Sequence, residues 1–302
     1  MKLTRILRMV VWSLLLLAAV GFWLRPVSFF NRFVYLRSWL QGAESHEVLV
    51  GGIRIHYNVL GTTGGPEVVL VHGLGGRAED WQNLSPYFAR AGYRVYMLDL
   101  PGFGRSDKPE VFSYSVRDQA GVVVGFLDAM GLKQVDLAGW SMGGWIAQRV
   151  AIAHPERVRR LILIDSAGLA ELPTWDTRLF TPTTPAELDQ LDALLMPNPP
   201  AIPGFIARDI LRVSKQKAWV IQRAMATMLT GHDATEGALP RLKMPVLIVW
   251  GTEDEVFPLR QGERMQRLIP QAKLERIVDC GHMAPEQCAR QIGPKVVGFV
   301  VQ

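Results

Sequence analysis

The alternation of short β-rich segments with helical patterns constrains the fold of this 302-residue chain more than any other feature. It follows a predicted hairpin in which "GG" joins "HEVLV" to "IRIHYNVLG". Because parallel strands need crossover connections, such alternation predicts an α/β fold, with a mostly parallel sheet and helices on both faces. The predicted strands span residues 67–72, 93–98, 134–139, 160–165, 245–250 and 273–278, and the predicted helices span residues 79–91, 115–130, 142–153, 259–268 and 285–300.

The alternation stops between residues 165 and 245. The intervening segment is rich in proline and helical in pattern, and "TPAE" at 184–187 predicts a capping box with proline at the first helical position. Long connections in compact domains usually carry function, so we expect residues 167–240 to form a helical lid rather than an insertion without a functional role. The predicted core then consists of residues 42–166 and 241–302.

The N-terminal segment predicts a membrane anchor. Residues 9–24 are uncharged and almost wholly apolar, and they follow Lys2, Arg5 and Arg8. A helix of this length spans roughly 24 Å, somewhat less than a hydrocarbon core of ~30 Å. We expect residues 1–41 to form an uncleaved anchor with a juxtamembrane segment; a cleaved signal peptide and a merely interfacial segment are the alternatives. The basic cluster before the apolar run favours a cytoplasmic N-terminus, with the following domain on the non-cytoplasmic side.

The distribution of charge indicates a membrane partner rather than nucleic acid. The net charge is +5 and the pI is about 9.4, yet no run of five basic residues occurs. Basic residues recur within the first 37 positions, as expected at a membrane surface. The sequence has no zinc-ligand spacing, P-loop or dinucleotide fingerprint, so we expect no metal and no cofactor.

A G-x-S-x-G element, Gly139-Trp140-Ser141-Met142-Gly143, joins a predicted strand to a predicted helix. Such a sharp turn strains the backbone of the central residue, and the flanking glycines let strand and helix approach closely. The free amides at the start of the helix stabilise negative charge that develops beside the hydroxyl. The context therefore predicts that Ser141 is a nucleophile rather than part of an ordinary Ser/Gly turn.

A nucleophilic serine needs a base, and the base needs a carboxylate that holds its tautomer. His282, in "IVDCGHMAPEQ", follows the last predicted strand and is the best candidate base among the six histidines. Asp254, in "GTEDEVFP", is the predicted acid. Asp165, at the end of the preceding strand, is the alternative acid.

The remaining site residues are inferred from their positions. The loop "HGLGG" supplies the N–H of Leu74, which with the N–H of Met142 forms the predicted oxyanion hole, while His72 holds that loop in shape. We expect Cys280 and Cys288 to stay reduced, since a bridge across the loop of His282 demands favourable geometry. The candidates for lining a substrate pocket, with core packing as the alternative role for those in the lid, are Trp140, Met196, Phe205, Trp219, Met225 and Met228.

From about residue 47 onward the chain resembles the α/β-hydrolase family. The motifs "HGLGG", "DLPGFGRS", "GWSMGG", "GTEDEVFP" and "CGHMAPE" occur in that family's order, and the order Ser, Asp, His agrees. The resemblance implies acyl-ester hydrolysis without a cofactor, and serine at position 141 argues against the haloalkane dehalogenase and epoxide hydrolase branches. The N-terminal segment, "SAGL" and "TPAELDQLD" are similar to membrane-anchored monoacylglycerol lipases and bacterial lipase/esterases.

Three functions are compatible with these features. The first is a membrane-tethered serine esterase or lipase acting on small-molecule or lipid acyl esters such as monoacylglycerols. The second is another serine-nucleophile enzyme of the fold, a carbon–carbon bond hydrolase or a cofactor-free haloperoxidase. The third is a non-catalytic binding module. A long apolar tunnel favours the first, polar groups suited to acidic or aromatic substrates favour the second, and the complete set of triad residues argues against the third.

Overall fold

The computed structural model describes residues 11–13 and 19–302. Eight strands form one sheet in the order β1-β2-β4-β3-β5-β6-β7-β8. The first two pairs, β1 with β2 and β2 with β4, are antiparallel, and all other pairs are parallel, which confirms the mostly parallel sheet. The strands are β1 (Glu44–Val50), β2 (Ile53–Gly61), β3 (Glu67–Val71), β4 (Arg94–Leu98), β5 (Val135–Trp140), β6 (Val158–Ile164), β7 (Val246–Gly251) and β8 (Lys273–Ile277).

The helices connect these strands largely where the sequence predicts them. Two predicted helices are divided: residues 78–81 form a separate 3₁₀ turn before α2, and Cys288 separates α8 from α9. Residues 11–13 and 19–24 are helical. The α-helices with both ends among the described residues are α1 (Pro26–Leu40), α2 (Ser85–Arg90), α3 (Val116–Ala129), α4 (Met142–Ala153), α5 (Pro185–Leu195), α6 (Gly204–Leu229), α7 (Leu259–Leu268), α8 (Ala284–Gln287) and α9 (Ala289–Val300).

The central strands are buried on both faces, which explains their continuous apolar sequences. Alternate residues of β3 enter different packing layers. Val69 and Val71 pack in the layer that contains α3 and α4, whereas Val68 and Leu70 pack in the layer that contains α2 and α9. This arrangement fixes the sheet rigidly, so that the loops at its carboxyl edge can hold side chains in defined positions.

Residues 167–240 leave the sheet between β6 and β7 and carry α5 and α6. The predicted capping box is present, because the Thr184 hydroxyl accepts a hydrogen bond from Glu187 N and the Glu187 carboxylate accepts one from Thr184 N. The second half of α6 is fixed to the core by Val220 and Ala224, which are fully buried. The lid is therefore anchored along its longest helix.

Helix α1 packs against the lid. Val27 N donates a hydrogen bond to the buried carboxylate of Asp209 on α6 at 3.0 Å, and Arg77 donates one to Asn31 at 2.7 Å. The opposite side of α1 is unusually apolar for an exposed surface. The exposed large side chains there are Phe33, Leu36, Trp39 and Leu40.

In the part of the chain that the structure describes, no helix combines the length and the apolar character needed to cross a bilayer. The predicted apolar anchor at residues 9–24 lies partly outside the described residues, which begin with 11–13 and resume at 19. The spanning segment is thus not supported by the described residues and stays a prediction.

Candidate active site

Ser141 lies at the sharp turn between β5 and α4. Its backbone has φ 56° and ψ −122°, a strained conformation for a residue with a side chain. The glycines on either side are required by packing. A Cβ at Gly139 would lie 2.1 Å from the carbonyl oxygen of Gly143, and one at Gly143 would lie 2.1 Å from that of Val71. The G-x-S-x-G pattern therefore follows from the close approach of α4 to the sheet.

The structure brings Ser141, His282 and Asp254 into one hydrogen-bonded chain. Ser141 Oγ lies 2.9 Å from His282 Nε2, and His282 Nδ1 lies 2.9 Å from Asp254 Oδ2. Since an ionised carboxylate only accepts, the proton of the ring lies on Nδ1 and the serine hydroxyl donates to Nε2. The other oxygen of Asp254 accepts from the N–H groups of Val256 and Phe257, which fixes the carboxylate. All three side chains are buried.

Asp165, the alternative acid, does not contact His282. It follows β6, and its Oδ1 accepts a hydrogen bond from Gly251 N at 2.8 Å. Its Oδ2 is buried and has no partner among the described residues. Burial raises the pKa of Asp165 well above its ordinary value, and the nearby charge of Asp254 raises it further. Both effects favour the protonated form of Asp165.

The two residues predicted to form the oxyanion hole lie near Ser141: Met142 is at the first position of α4, and Leu74, on the loop after β3, lines the same cavity as Ser141. Within residues 19–302, neither backbone N–H donates a hydrogen bond to a protein acceptor, so both are free for an incoming oxygen. His72 holds this loop: its ring contacts the carbonyl of Gly73 at 2.7 Å and accepts from Leu100 N at 3.0 Å. Burial lowers the pKa of His72, which favours the neutral ring.

Two cavities meet at Ser141, and both are mainly apolar. The inner cavity, of about 360 Å³, extends between residues 167–175, Phe180 and the end of α6. The outer cavity, of about 930 Å³, extends past His282 between α1 and the lid. Leu74 and Phe180 line both. The serine hydroxyl is therefore accessible to a substrate with two extended parts.

The predicted pocket residues divide into two groups. Met225 and Met228 line the inner cavity and Trp140 lines the outer one, whereas Met196, Phe205 and Trp219 line neither. These three pack elsewhere: Met196 accepts a hydrogen bond from Gln287, Phe205 contacts the ring of Phe22, and Trp219 contacts the ring of Tyr114. The helical period of α6 gave no information about which of its faces borders the nucleophile.

The outer cavity has a polar region that sequence reasoning did not find. Its members come from distant parts of the chain and share no local pattern: Asn31, Arg77, Asp80, Lys217 and Glu286. Burial raises the pKa of Glu286 to about 7, although the charge of Arg77 opposes this shift. The pKa of Asp80 is raised well above its ordinary value, chiefly by burial and secondly by Glu286.

A second serine, Ser45, also contacts a histidine paired with an aspartate. Ser45 Oγ lies 2.9 Å from His56 Nε2, and His56 Nδ1 lies 2.7 Å from Asp99 Oδ2. Ser45, however, lies in β1 at the edge of the sheet and lines neither cavity. It also follows no strand-to-helix turn, so it lacks the helix amides found at Ser141. Substitution of Ser45 is therefore a matched control for substitution of Ser141.

Cys280 and Cys288 form a disulfide, so the prediction of reduced thiols is wrong. The two Cα atoms lie 6.2 Å apart, within the range of natural disulfides. The short helix α8 turns the chain back on itself and brings the second cysteine to the first. The sequence separation of eight residues did not reveal this turn.

A family model described as the alpha/beta hydrolase family matches residues 68–292. The chain belongs to the α/β-hydrolase family. It is similar to a 2-hydroxy-6-oxononadienedioate/2-hydroxy-6-oxononatrienedioate hydrolase of Burkholderia vietnamiensis. The two sequences are 30% identical, and the alignment covers 82% of this chain and 91% of the relative. A similar enzyme of Pseudomonas putida, hydrolase 2 of that name, is 31% identical, with 82% of this chain and 92% of the relative covered. These relatives identify this α/β-hydrolase as a hydrolytic enzyme.

Solved structures of the family include enzymes with other names. A membrane phospholipase A, described as a bacterial virulence factor, superposes with a TM-score of 0.80 and 29% identity, covering 97% of this chain and 99% of its own. A serine hydrolase involved in carbazole degradation gives a TM-score of 0.72 with 26% identity, covering 86% and 99%. The fold is thus shared by family members that act on different substrates.

Proposed function

We propose that this α/β-hydrolase cleaves carboxylic esters of lipid-like substrates through an acyl-enzyme formed on Ser141. The observation that carries the proposal is the position of the nucleophile between two largely apolar cavities. An ester also has two arms that meet at the reacting carbonyl. The inner cavity, lined by Met225, Met228 and Phe180, suits an acyl chain, and the larger outer cavity suits the alcohol part.

The geometry supports the following steps. His282 Nε2 takes the hydroxyl proton as Ser141 Oγ attacks the carbonyl carbon, and the Asp254 carboxylate stabilises the charged ring. The N–H groups of Leu74 and Met142 donate to the oxygen that becomes negative. His282 then gives the proton to the leaving alcohol, and the acyl group stays on Ser141. Water, activated by the same histidine, releases the carboxylic acid and restores the serine.

Carbon–carbon bond hydrolysis is the second candidate, and the names of the curated relatives favour it. Their named substrates are dianions, which need cationic partners on both sides of the reacting carbon. Among the described residues, the lining of the inner cavity includes no basic side chain, and its one carboxylate, that of Glu171, is paired with Arg260. The outer cavity contains Arg77 and Lys217. The basic side chains thus lie on one side of Ser141 only, in the outer cavity. This distribution favours an ester substrate over a dianion.

A membrane tether completes the proposal. The exposed apolar side of α1 continues the apolar N-terminal residues, and a solved relative is named a membrane phospholipase. The disulfide Cys280–Cys288 supports a location outside the cytoplasm, because disulfides persist mainly in oxidising compartments. We therefore place the catalytic domain on the non-cytoplasmic side of the membrane, with residues 1–41 as its anchor.

The test compares labelling and turnover. A fluorophosphonate should label the wild-type enzyme, and the Ser141→Ala variant should lose both labelling and ester hydrolysis, with kcat lower by about 10⁴-fold or more. The matched control is Ser45→Ala, which should keep both. Turnover of p-nitrophenyl esters of increasing chain length is then compared with turnover of a 2-hydroxy-6-oxo-dienedioate. A higher kcat/KM for the dienedioate would replace the first candidate by the second.

A further inference from the structure

We propose that the Cys280–Cys288 disulfide positions the catalytic histidine, and that its cleavage by a dithiol lowers turnover by displacing the ring of His282. The inference rests on the proposed function of the triad. The bridge encloses the histidine, because Cys280 precedes His282 by two residues and Cys288 follows it by six. Both half-cystines are buried.

The strand that delivers His282 is weakly held. β8 is the last strand of the sheet and pairs only with β7. Most of its residues are exposed or partly exposed, and Val278 after it is 61% exposed. Asp279 then adopts a left-handed conformation with φ 56°. An edge strand followed by an irregular loop does not by itself hold a base within hydrogen-bond distance of two partners.

The disulfide connects this loop to better-held parts of the molecule. Cys288 is the N-cap residue of α9, and its carbonyl accepts hydrogen bonds from Gln291 N and Ile292 N. Helix α9 is held by Ile292 and Val296, which are completely buried. On the other side, the carbonyl of Cys280 accepts from Glu253 N at 2.9 Å. That residue adjoins Asp254. The disulfide therefore links the loop that carries His282 to α9. The hydrogen bond to the Cys280 carbonyl links the same loop to the one that carries Asp254.

The supports that remain without the bridge are few. The carbonyl of His282 accepts a hydrogen bond from Trp140 Nε1 at 2.7 Å, and Met283 N donates to Leu195 O of the lid at 3.2 Å. They hold the backbone at His282 and at Met283, and the second depends on residues 167–240. The hydrogen bonds from Glu253 N to Cys280 O and from Asp279 N to the Thr252 hydroxyl hold only the start of the loop, before the histidine. The fold should survive loss of the bridge, whereas the distances from the ring to Ser141 and Asp254 should become variable.

Reduction of the bridge is an ordinary thiol–disulfide exchange. A thiolate of dithiothreitol attacks one sulfur and forms a mixed disulfide, and its second thiol closes on the first. The protein S–S bond breaks, a cyclic disulfide forms in the reagent, and two electrons and two protons pass to the two cysteines. The chain contains no other cysteine, so the reagent has a single target.

The experiment measures kcat and KM for a short p-nitrophenyl ester with the full-length enzyme before and after reduction, with thiol counting to show complete cleavage. We expect kcat to fall by about 10-fold to 100-fold, as for a catalytic group displaced by about 1 Å, with KM changed by less than about twofold. Reoxidation should restore kcat. The Cys280→Ala/Cys288→Ala variant should match the reduced enzyme and not respond to dithiothreitol.

Two further measurements separate positioning from stability. The fluorophosphonate should label the reduced enzyme more slowly at a temperature where circular dichroism shows both forms folded. Unchanged kcat after complete reduction, or loss of activity only with loss of folded structure, overturns the inference. If the oxidised enzyme is not labelled at all, the proposed function itself fails. If the alanine variant does not fold, the reduced wild-type enzyme decides the question.

Discussion

At the scale of single residues, two neighbouring carboxyl groups differ in their hydrogen-bond partners. Asp254 accepts hydrogen bonds from His282 and from two backbone N–H groups, whereas Asp165 accepts one and keeps a buried oxygen without a partner in residues 19–302. Burial raises the pKa of Asp165 well above its ordinary value and so favours its neutral form. Only Asp254 has a carboxyl oxygen within hydrogen-bond distance of the catalytic histidine among the described residues.

This difference predicts unequal effects of amide substitution. Asp254→Asn should lower kcat by about 10³- to 10⁴-fold, since an amide does not hold the ring in the required tautomer or stabilise its charge. Asp165→Asn replaces a neutral acid by a group of similar shape and should change kcat by less than about tenfold. Steady-state ester hydrolysis at neutral pH measures both. The reverse ranking would show that Asp165, not Asp254, acts with His282.

Glu286 predicts a pH dependence of stability. The unfolded chain loses this proton near the ordinary value of 4.5, whereas burial keeps it in the folded protein up to about pH 7. The folded state binds more protons in between, so the free energy of unfolding should fall as the pH rises from 4.5 to 7. At about 1.4 kcal/mol per pKa unit, the loss is at most about 3.5 kcal/mol. Asp80 contributes in the same direction.

The check is denaturant unfolding at pH 5 and pH 8 for the wild type and for Glu286→Gln. The variant should lose less stability between the two pH values than the wild type. Glu253→Gln is the matched control, because Glu253 is exposed on the loop of Asp254. Identical losses in all three proteins would show that Glu286 ionises normally in the folded state.

At the scale of helices and strands, α6 predicts the chain-length preference. Met228 lines the inner cavity near the end of this helix, so Met228→Trp should shorten the space for an acyl chain. Hydrolysis of long-chain esters should fall at least about 10-fold relative to that of butyrate. Met196→Trp is the control, since Met196 contacts Gln287 rather than either cavity. Equal changes in the two variants would show that the acyl chain does not occupy the inner cavity.

The elements predicted correctly are those with local signals. The parallel strands follow from continuous apolar segments, and the start of α5 follows from the capping box at Thr184. Motif order also placed Ser141, Asp254 and His282 at loops that follow β5, β7 and β8, and the rules of parallel sheets bring such loops to one edge. Their hydrogen-bonded geometry is therefore an expected consequence of the topology.

The features that sequence reasoning missed depend on contacts between distant segments. Helix α1 lines the outer cavity because Val27 N donates a hydrogen bond to Asp209 of α6, which lies 182 positions away in the sequence. The disulfide depends on the turn in α8. Phe205 and Trp219 line neither cavity, because Phe205 packs on the ring of Phe22 and Trp219 packs on the ring of Tyr114. Neither periodicity nor motif spacing contains this information.

At the scale of the whole molecule, helix α1 forms the last part of the proposed anchor and also lines the outer cavity. On one side of α1, Val27, Asn31 and Tyr35 line the outer cavity. Large apolar residues of α1 are exposed to solvent, as are Arg32 and Arg37. Aromatic and basic residues on one exposed helix are typical of a membrane interface. On the proposed membrane location, a helix with this arrangement would hold the outer cavity close to the lipid surface, where amphiphilic esters are concentrated.

We therefore predict that full-length protein stays in the membrane fraction through a carbonate wash, and that protease added from the non-cytoplasmic side cleaves the catalytic domain. A chain that starts at Gly42 should be soluble and should hydrolyse short, dispersed esters, because the triad and both oxyanion donors lie outside the deleted segment. It should lose its preference for long amphiphilic esters, since the outer cavity loses the wall formed by Val27, Phe30 and Tyr35. Release of the full-length protein by carbonate would show that residues 1–41 do not span the bilayer, and cleavage only after the cytoplasmic side is opened would reverse the orientation.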